Sequence, residues 1–198
     1  MNKRQKRGML LLVLGLLLVL AALGIHIAQE MEDRRAGQTA AMLLEQLDNK
    51  SLPIIGTQSG NREESADPAM PEKKYMNYTL IGSISVPSVG IRLPVLDGWS
   101  EEMLKVAPCR YMGSISGGNM IIMGHNYKSH FTPLQSVSVG AVVTFENVLG
   151  ISYQYRVAKI EKLHRDDGEK LASDYPLTIF TCTPGGMERF VVRCEPVK

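Results

Sequence analysis

Alternation of apolar and polar positions dominates residues 75–198 and predicts strands. YTLIGSISVP and ISYQYRVAKIEKL alternate along their length, and GNMIIMGH is a short apolar run typical of a buried strand. IRLPVLDG, GAVVTFENV, LTIFTC and RFVVRCEPV are further runs of this kind. Helical signals are brief, because only EEMLKVA, capped by Ser100, and a single turn after His130 fit the pattern. Seven or eight short strands predict a mainly β domain that forms a closed or nearly closed barrel.

A long apolar run precedes this domain. Residues 8–29 contain no Asp, Glu, Lys or Arg, and residues 1–7 directly before them contain four basic side chains. At about 1.5 Å per residue, a helix of this length spans roughly 33 Å, enough to cross a bilayer. A cleaved signal peptide fits the same pattern, but its apolar core usually has only about 7–15 residues. We therefore predict an uncleaved single-pass anchor, with residues 1–7 in the cytoplasm and the rest of the chain outside the cell.

Residues 30–74 connect the apolar run to the β-rich domain. Ala41, Leu44 and Leu47 fall at helical spacing, which predicts that the helix continues as a solvated spacer or as a partner-binding helix. Pro, Gly, Ser, Asn and Glu are frequent in residues 51–74, which predicts a linker or a mobile appendage.

Charge and cysteine content narrow the function by exclusion. The formal net charge of +2 gives no broad basic surface, so nucleic acid is not an expected partner. The three cysteines are Cys109, Cys182 and Cys194, and an odd number leaves at least one thiol free. No pair has CxxC spacing, so neither a zinc site nor a redox pair is expected. We expect no metal or cofactor.

The three cysteines differ in their sequence context. Cys182 ends the predicted strand LTIFTC and precedes the polar turn TPGG, which leaves its thiol open to a substrate. Cys194 within RFVVRCE and Cys109 within APCRYMG fit the commoner fate of a free cysteine, a small buried apolar side chain. Cys182 is therefore the candidate nucleophile.

Two further side chains suit chemistry with a thiol. His125 ends the apolar run GNMIIMGH, and a buried strand with a polar residue at its tip often delivers it to a cleft. Arg189 opens the strand after the TPGG turn, so a hairpin would place its guanidinium beside Cys182, where it favours the thiolate and can stabilise an oxyanion. Arg193 lies two pairs further along on the same face and remains an alternative. Thiolate, imidazole and a cationic donor are typical of acyl transfer.

Three segments resemble the sortase family. TIFTC, which ends at Cys182, is similar to the family's TLxTC signature, with Ile179 at the usual Leu position. GNMIIMGHN resembles its strand ending in Gly-His, and TCTPGGMERFVVR its hairpin from Cys to Arg. The resemblance covers residues 78–198 and implies an eight-stranded sortase-like β-barrel with short helices. It also implies the catalytic set His125, Cys182 and Arg189. Further candidates for contacts to the substrate or to these groups are Asn126, Thr181 and Arg193.

The resemblance also implies a reaction. A membrane-anchored cysteine transpeptidase would cleave an LPxTG-like C-terminal sorting signal through a thioacyl-enzyme at Cys182, then transfer the surface protein to a cell-wall precursor amine. Pilin polymerisation onto a subunit lysine is the alternative within the family. TCTP and SEEMLKVAP resemble segments of pilin-polymerising and of some housekeeping-like members. ADPAM lacks the aromatic of the Asp-Pro lid in pilin polymerases, and no second apolar span follows the barrel. A cysteine peptidase or amidase with water as acceptor, and a binding module with an incidental Cys182, are the rivals from other classes.

Overall fold

The computed structural model of the chain describes residues 3–49 and 70–197. Residues 51–69 of the predicted linker therefore lie outside the described residues. They include the first four residues of ADPAM. Two α-helices and nine strands occur in the described parts of the chain. They are α1 (Lys3–Asp48), β1 (Lys73–Tyr75), β2 (Tyr78–Val86), β3 (Ile91–Leu96), α2 (Glu101–Leu104), β4 (Cys109–Met112), β5 (Met120–Met123), β6 (Val142–Asn147), β7 (Ser152–His164), β8 (Leu177–Cys182) and β9 (Glu188–Pro196).

Strands β2 to β9 form a closed eight-stranded barrel. The order around the barrel is β2, β3, β4, β5, β8, β9, β7 and β6, and β6 pairs with β2 to close it. The β3–β4 and β5–β8 pairs are parallel, whereas the other pairs are antiparallel. The closed barrel predicted from the sequence is confirmed. The short strand β1 extends the sheet beside β2, within a segment that the sequence assigned to the linker.

Alternation along the strands divides the apolar side chains among three buried clusters, two of which include residues of β8. The barrel interior holds one large buried cluster, which includes Ile84, Phe145, Ile179 and Val192. A second cluster lies on the opposite face of β5, β8 and β9, where the 3₁₀ helix Gly168–Leu171 contributes a buried leucine. Its buried members are Ile121, Leu163, Leu171, Phe180 and Val191. The outer face of β8 is therefore sheltered, although it lies outside the barrel.

Several local features agree with the sequence prediction. Ser100 caps α2, because its Oγ accepts a hydrogen bond from the backbone N of Met103 at 3.2 Å. The turn expected after His130 is the 3₁₀ helix Thr132–Ser136. Strand β4 was missed, since CRYM carries a charged residue and shows little alternation. Its burial comes from tertiary packing rather than from its own pattern.

The chain divides into two compact units between Arg35 and Ala36. In the first unit, the large apolar side chains of α1 are exposed. Among the described residues, α1 is the one helix long and apolar enough to cross a membrane, a test that a signal sequence also passes. The apolar helix is thus compatible with a single-pass anchor through residues 8–29.

The second unit begins inside α1, at Ala36. Ala36, Ala40 and Leu43 are buried, so this end of the helix is not a solvated spacer. Of the residues expected on the apolar face, Leu47 packs against a buried cluster, whereas Ala41 is exposed. The buried face is rich in small residues, and small side chains give only a weak periodic signal.

The end of α1 is held by two basic side chains. Lys73 Nζ donates hydrogen bonds to the backbone oxygens of Gln46 at 2.7 Å and Asn49 at 2.8 Å. The last carbonyls of a helix carry the negative end of its dipole, so the lysine caps this end. Burial lowers the pKa of Lys73, although the charge of Asp48 opposes the shift. Arg92 pairs with Asp48 through two hydrogen bonds of 2.7 and 2.9 Å, which lower the pKa of that carboxyl.

Candidate functional site

Strand β8 carries the candidate nucleophile between two neighbouring strands. It pairs in parallel with β5 on one side and antiparallel with β9 on the other. Successive side chains point to opposite faces of a strand, so Phe180 and Cys182 share the sheltered outer face. Phe180 is buried, whereas Cys182 at the strand end is exposed. The fold therefore delivers one accessible thiol to the end of a well-packed strand.

Arg189 lies directly across from this thiol in the β8–β9 hairpin. Cys182 pairs with Arg189 in the register of the two strands, as the sequence predicted. The connecting turn is closed by a hydrogen bond from the backbone N of Thr183 to the Glu188 oxygen at 2.8 Å. Residues opposite each other in an antiparallel pair point to the same face, with Cβ atoms about 4.5–5.5 Å apart. The guanidinium and the thiol therefore belong to one surface.

The Arg189 guanidinium is held by packing. Its Cζ lies 5.8 Å from the centroid of the Phe180 ring. An added Cβ on Gly168 would lie 3.5 Å from Nη1, so the 3₁₀ segment borders the guanidinium. Within residues 3–49 and 70–197, no atom accepts a hydrogen bond from the buried Nη1. The side chain thus retains hydrogen-bonding capacity and positive charge beside Cys182.

His125 reaches the same strand end from the other side. Met123 pairs with Phe180, and the backbone N of Gly124 donates to the Phe180 oxygen at 3.0 Å. Continuing this parallel register by two residues places His125 opposite Cys182. Adjacent strands are about 4.8 Å apart, so the imidazole is carried into the neighbourhood of the thiol. The structure brings all three predicted residues to one end of β8.

The His125 ring is oriented by its own loop. It stacks on Tyr127, with ring centroids 4.1 Å apart and planes inclined by 4°. The residue before it must be glycine, because a Cβ on Gly124 would overlap the ring of Phe131. That ring is fully buried and anchors the loop to the barrel core. The Gly-His pair noted in the sequence therefore has a packing explanation.

Arg193, the alternative arginine, is not available to a substrate. Its side chain is 2% exposed and pairs with Glu161 at 2.9 Å. It also donates to the backbone oxygens of Leu171 and Lys170, both at 2.5 Å. Burial would raise the pKa of Glu161, but hydrogen bonds from Lys159 and Arg193 outweigh it and keep that pKa below its usual value. Arg193 therefore fastens the 3₁₀ segment to β9.

The other two candidates differ in exposure. Thr181 is fully buried on the face of β8 opposite to Cys182, so it belongs to the framework of the strand. Asn126 is half-buried, and its backbone oxygen accepts a hydrogen bond from Thr132 Oγ1 at 2.6 Å. This contact gives Asn126 a place in the framework of the His125 loop.

Sequence reasoning missed a row of aromatic rings beside Arg189. Trp99 and Tyr111 have ring centroids 5.6 Å apart, and Tyr111 meets the edge of Phe180 at the same distance. Trp99 is 46% exposed, so the row runs from the surface to the ring under Arg189. The single tryptophan of the chain could have indicated this aromatic row. The other two rings lie on β4 and β8, which are distant from Trp99 in sequence.

The three thiols differ in their surroundings. Cys109 and Cys194 are buried, and burial raises the pKa of each to about 12. Their neutral form is stabilised because an anion is poorly solvated in an apolar core. Both were predicted to be small buried apolar residues, and this is confirmed.

We expect Cys182 to react with iodoacetamide at pH 8 while Cys109 and Cys194 stay unmodified. With a pKa near 12, only about one buried thiol in ten thousand would be ionised at that pH. Peptide mass mapping after a short pulse measures each site. Labelling in 6 M guanidinium is the control, because all three thiols should then react. Equal labelling of Cys194 in the folded protein would contradict the prediction.

Comparison with known proteins identifies the family. Residues 84–197 match the model of the Sortase domain. The chain belongs to the sortase family. Its likeness to Sortase A of Streptococcus agalactiae serotype III (strain NEM316) extends over 139 residues at 30% identity, 63% of this chain and 56% of that protein. The chain thus spans just over half the length of that relative.

Solved structures give the same family and fold. A Clostridium perfringens sortase C with the C-terminal cell wall sorting motif is 26% identical, with a TM-score of 0.53 over 60% of this chain and 71% of the other. A lid mutant of sortase A from Corynebacterium diphtheriae is 22% identical, with a TM-score of 0.57 over 84% and 94% of the two chains. Relatives of both the A and C types therefore resemble this sortase, and the subclass stays open.

Proposed function

We propose that this sortase is a membrane-anchored cysteine transpeptidase. It would cleave an LPxTG-like sorting signal and transfer the surface protein to an amine of the cell wall. The observation that carries the proposal is the arrangement around β8, where Cys182 lies between Arg189 in register on one side and the extension of β5 with His125 on the other.

The first half of the reaction makes a thioester. The Cys182 thiolate attacks the carbonyl carbon of the residue before the scissile bond, and the carbonyl oxygen becomes an oxyanion. Arg189 donates hydrogen bonds to that oxygen and so stabilises its negative charge. The His125 imidazolium gives its proton to the leaving amine nitrogen, the C–N bond breaks, and the acyl group stays on Sγ.

The second half returns the enzyme to its starting state. An acceptor amine attacks the thioester carbon, and neutral His125 takes the proton that the nitrogen loses. The new amide forms, the C–S bond breaks, and the thiolate leaves with the imidazolium restored. A thioester retains the acyl energy needed for this aminolysis.

The proposed topology places this reaction outside the cell. Residues 8–29 would span the bilayer and the basic residues 1–7 would remain in the cytoplasm. One solved structure is that of Clostridium perfringens sortase C with the C-terminal cell wall sorting motif. This similarity supports a sorting signal as the substrate of the present chain. The intact mass of the protein extracted from membranes is the test of the anchor, because a mature chain beginning near Glu30 would indicate a cleaved signal.

The acceptor decides between the proposed function and its rivals. We expect the full chain in detergent to cleave a quenched LPxTG-like peptide and to form a ligated product when triglycine is added. A lysine side-chain peptide offered in competition measures the pilin-type activity. The products are separated by liquid chromatography and identified by mass.

Two controls make the result decisive. A scrambled peptide should not be cleaved, and Cys182→Ala should give neither product. Hydrolysis that ignores every amine would replace the transpeptidase with a cysteine peptidase. A folded chain that cleaves no member of an LPxTG-like peptide library would overturn the proposed substrate class.

A further inference from the structure

The end of α1 packs close to the loop that carries His125. Ala36, Ala40 and Leu43 form the buried face of this part of the helix. Ala40 belongs to the same buried cluster as Phe131, the ring that anchors the loop. The catalytic domain thus includes a helical segment packed beside its histidine loop.

Gly37 permits the closest approach between the helix and the loop. A Cβ added at this position would lie 2.9 Å from Ser129 Cβ and 3.4 Å from its Oγ. Real Cβ atoms essentially never come within 3.0 Å of another heavy atom, so something must shift. Because Ser129 Cβ is attached directly to the main chain, rotation about χ1 does not relieve the contact. The loop backbone or the helix itself would have to move.

The loop between Gly124 and Thr132 is braced internally. The backbone N of Phe131 donates to the His125 oxygen at 3.2 Å, and the Thr132 hydroxyl donates to the Asn126 oxygen at 2.6 Å. The backbone N of His130 donates to the Tyr127 oxygen at 3.0 Å. These bonds connect both ends of the turn, so a displacement at Ser129 is transmitted to the histidine.

The end of the helix also has partners outside this loop. Lys73 binds the carbonyls at its end, and Arg92 pairs with Asp48. Both basic residues lie on strands beside the barrel closure, away from the β5–β8 pair. Because these contacts hold the end of the helix in place, a new side chain at Gly37 should displace the loop.

We propose that Gly37 is a positioning residue for His125. Through Ser129, the docked end of α1 sets the loop and hence the placement of the imidazole beside Cys182. This role rests on the proposed function, since it matters only if His125 transfers protons there. It also makes the helix that leads out of the apolar segment part of the catalytic apparatus.

The test is a double-mutant cycle in the full chain. We expect Gly37→Ala to lower kcat for ligation of a quenched LPxTG-like peptide to triglycine by about tenfold or more, because a displacement of about 1 Å can cost 10²-fold. KM should change little. Ser129→Gly removes both atoms that the new methyl group would meet, so the double variant should recover most of the lost kcat.

Gln38→Ala is the matched control. It lies one position along on the exposed side of the same helix and receives the same side chain. Alanine favours helices more than glycine does, so Gly37→Ala should not lose activity through helix unfolding. Thermal unfolding of all four variants checks this. A variant that is stable but slow supports a positioning effect.

An NMR measurement separates this inference from the proposed activity. The imidazole signals of His125, assigned with His125→Gln, should move in Gly37→Ala and return in the double variant, while those of exposed His164 stay fixed. If the wild-type protein cleaved no peptide, the proposed function would be wrong. The His125 signals would still test whether Gly37 positions the imidazole. Unchanged His125 signals and kcat in Gly37→Ala, or no recovery in the double variant, would overturn it.

Discussion

Replacing Cys182 with alanine is expected to abolish both peptide cleavage and amine ligation. No thioester can form without Sγ, and the neighbouring groups cannot substitute for it. Removing the nucleophile of a comparable serine enzyme costs about 10⁶ in kcat. Cys182 is exposed at a strand end, so the substitution should leave the barrel intact. The measurement is kcat/KM with a quenched LPxTG-like peptide, together with the mass of any trapped acyl-enzyme.

The two buried cysteines provide the control for this prediction. Cys109→Ala and Cys194→Ala remove a sulfur from the protein core and should lower stability while most of the activity remains. The acyl adduct of the wild-type protein should map to Cys182. Turnover by a folded Cys182→Ala variant, or an adduct on Cys194, would refute the assignment of the nucleophile.

The strands and the Cys–Arg pair could be predicted because their signals are local. Alternating residues define β2 and β7, and a short polar turn between LTIFTC and RFVVRC favours a hairpin. The hairpin register then places Cys182 opposite Arg189, as the structure confirms. His125 was different. It lies on another strand, whose parallel pairing with β8 no local pattern specifies, so its approach to Cys182 was inferred from the family resemblance.

The features that sequence reasoning missed depend on tertiary packing. Arg193 and Arg189 have the same chemistry and the same strand face, but tertiary contacts with Glu161 and the 3₁₀ segment bury Arg193 completely and leave Arg189 half-buried. Gly37 shows the same limit. A glycine inside a helix predicts slight instability by itself, and its importance arises only because Ser129 lies against it.

Substituting the two arginines is expected to separate catalysis from stability. Arg189→Ala should lower kcat/KM by about 10²–10³, the usual effect of losing one oxyanion donor. Arg189→Lys should recover little, because an ammonium lacks the planar fork of a guanidinium. Arg193→Ala should instead reduce the free energy of unfolding by about 1–3 kcal/mol, since the buried oxygens of Leu171 and Thr178 lose their donor while Glu161 keeps Lys159 as a partner. Urea unfolding and steady-state kinetics measure the two effects.

The opposite environments of the two guanidinium groups are the reason for this separation. Arg193 donates hydrogen bonds to Glu161, to the 3₁₀ segment and to Thr178, so its loss removes contacts within the barrel wall. Arg189 packs over Phe180 and keeps a donor without an acceptor among the described residues, so its loss disturbs little until an oxyanion forms. A double variant should therefore show nearly additive changes in stability, with the rate loss arising from Arg189. If Arg193→Ala stayed fully stable but lost the larger factor in kcat/KM, the oxyanion role would belong to Arg193.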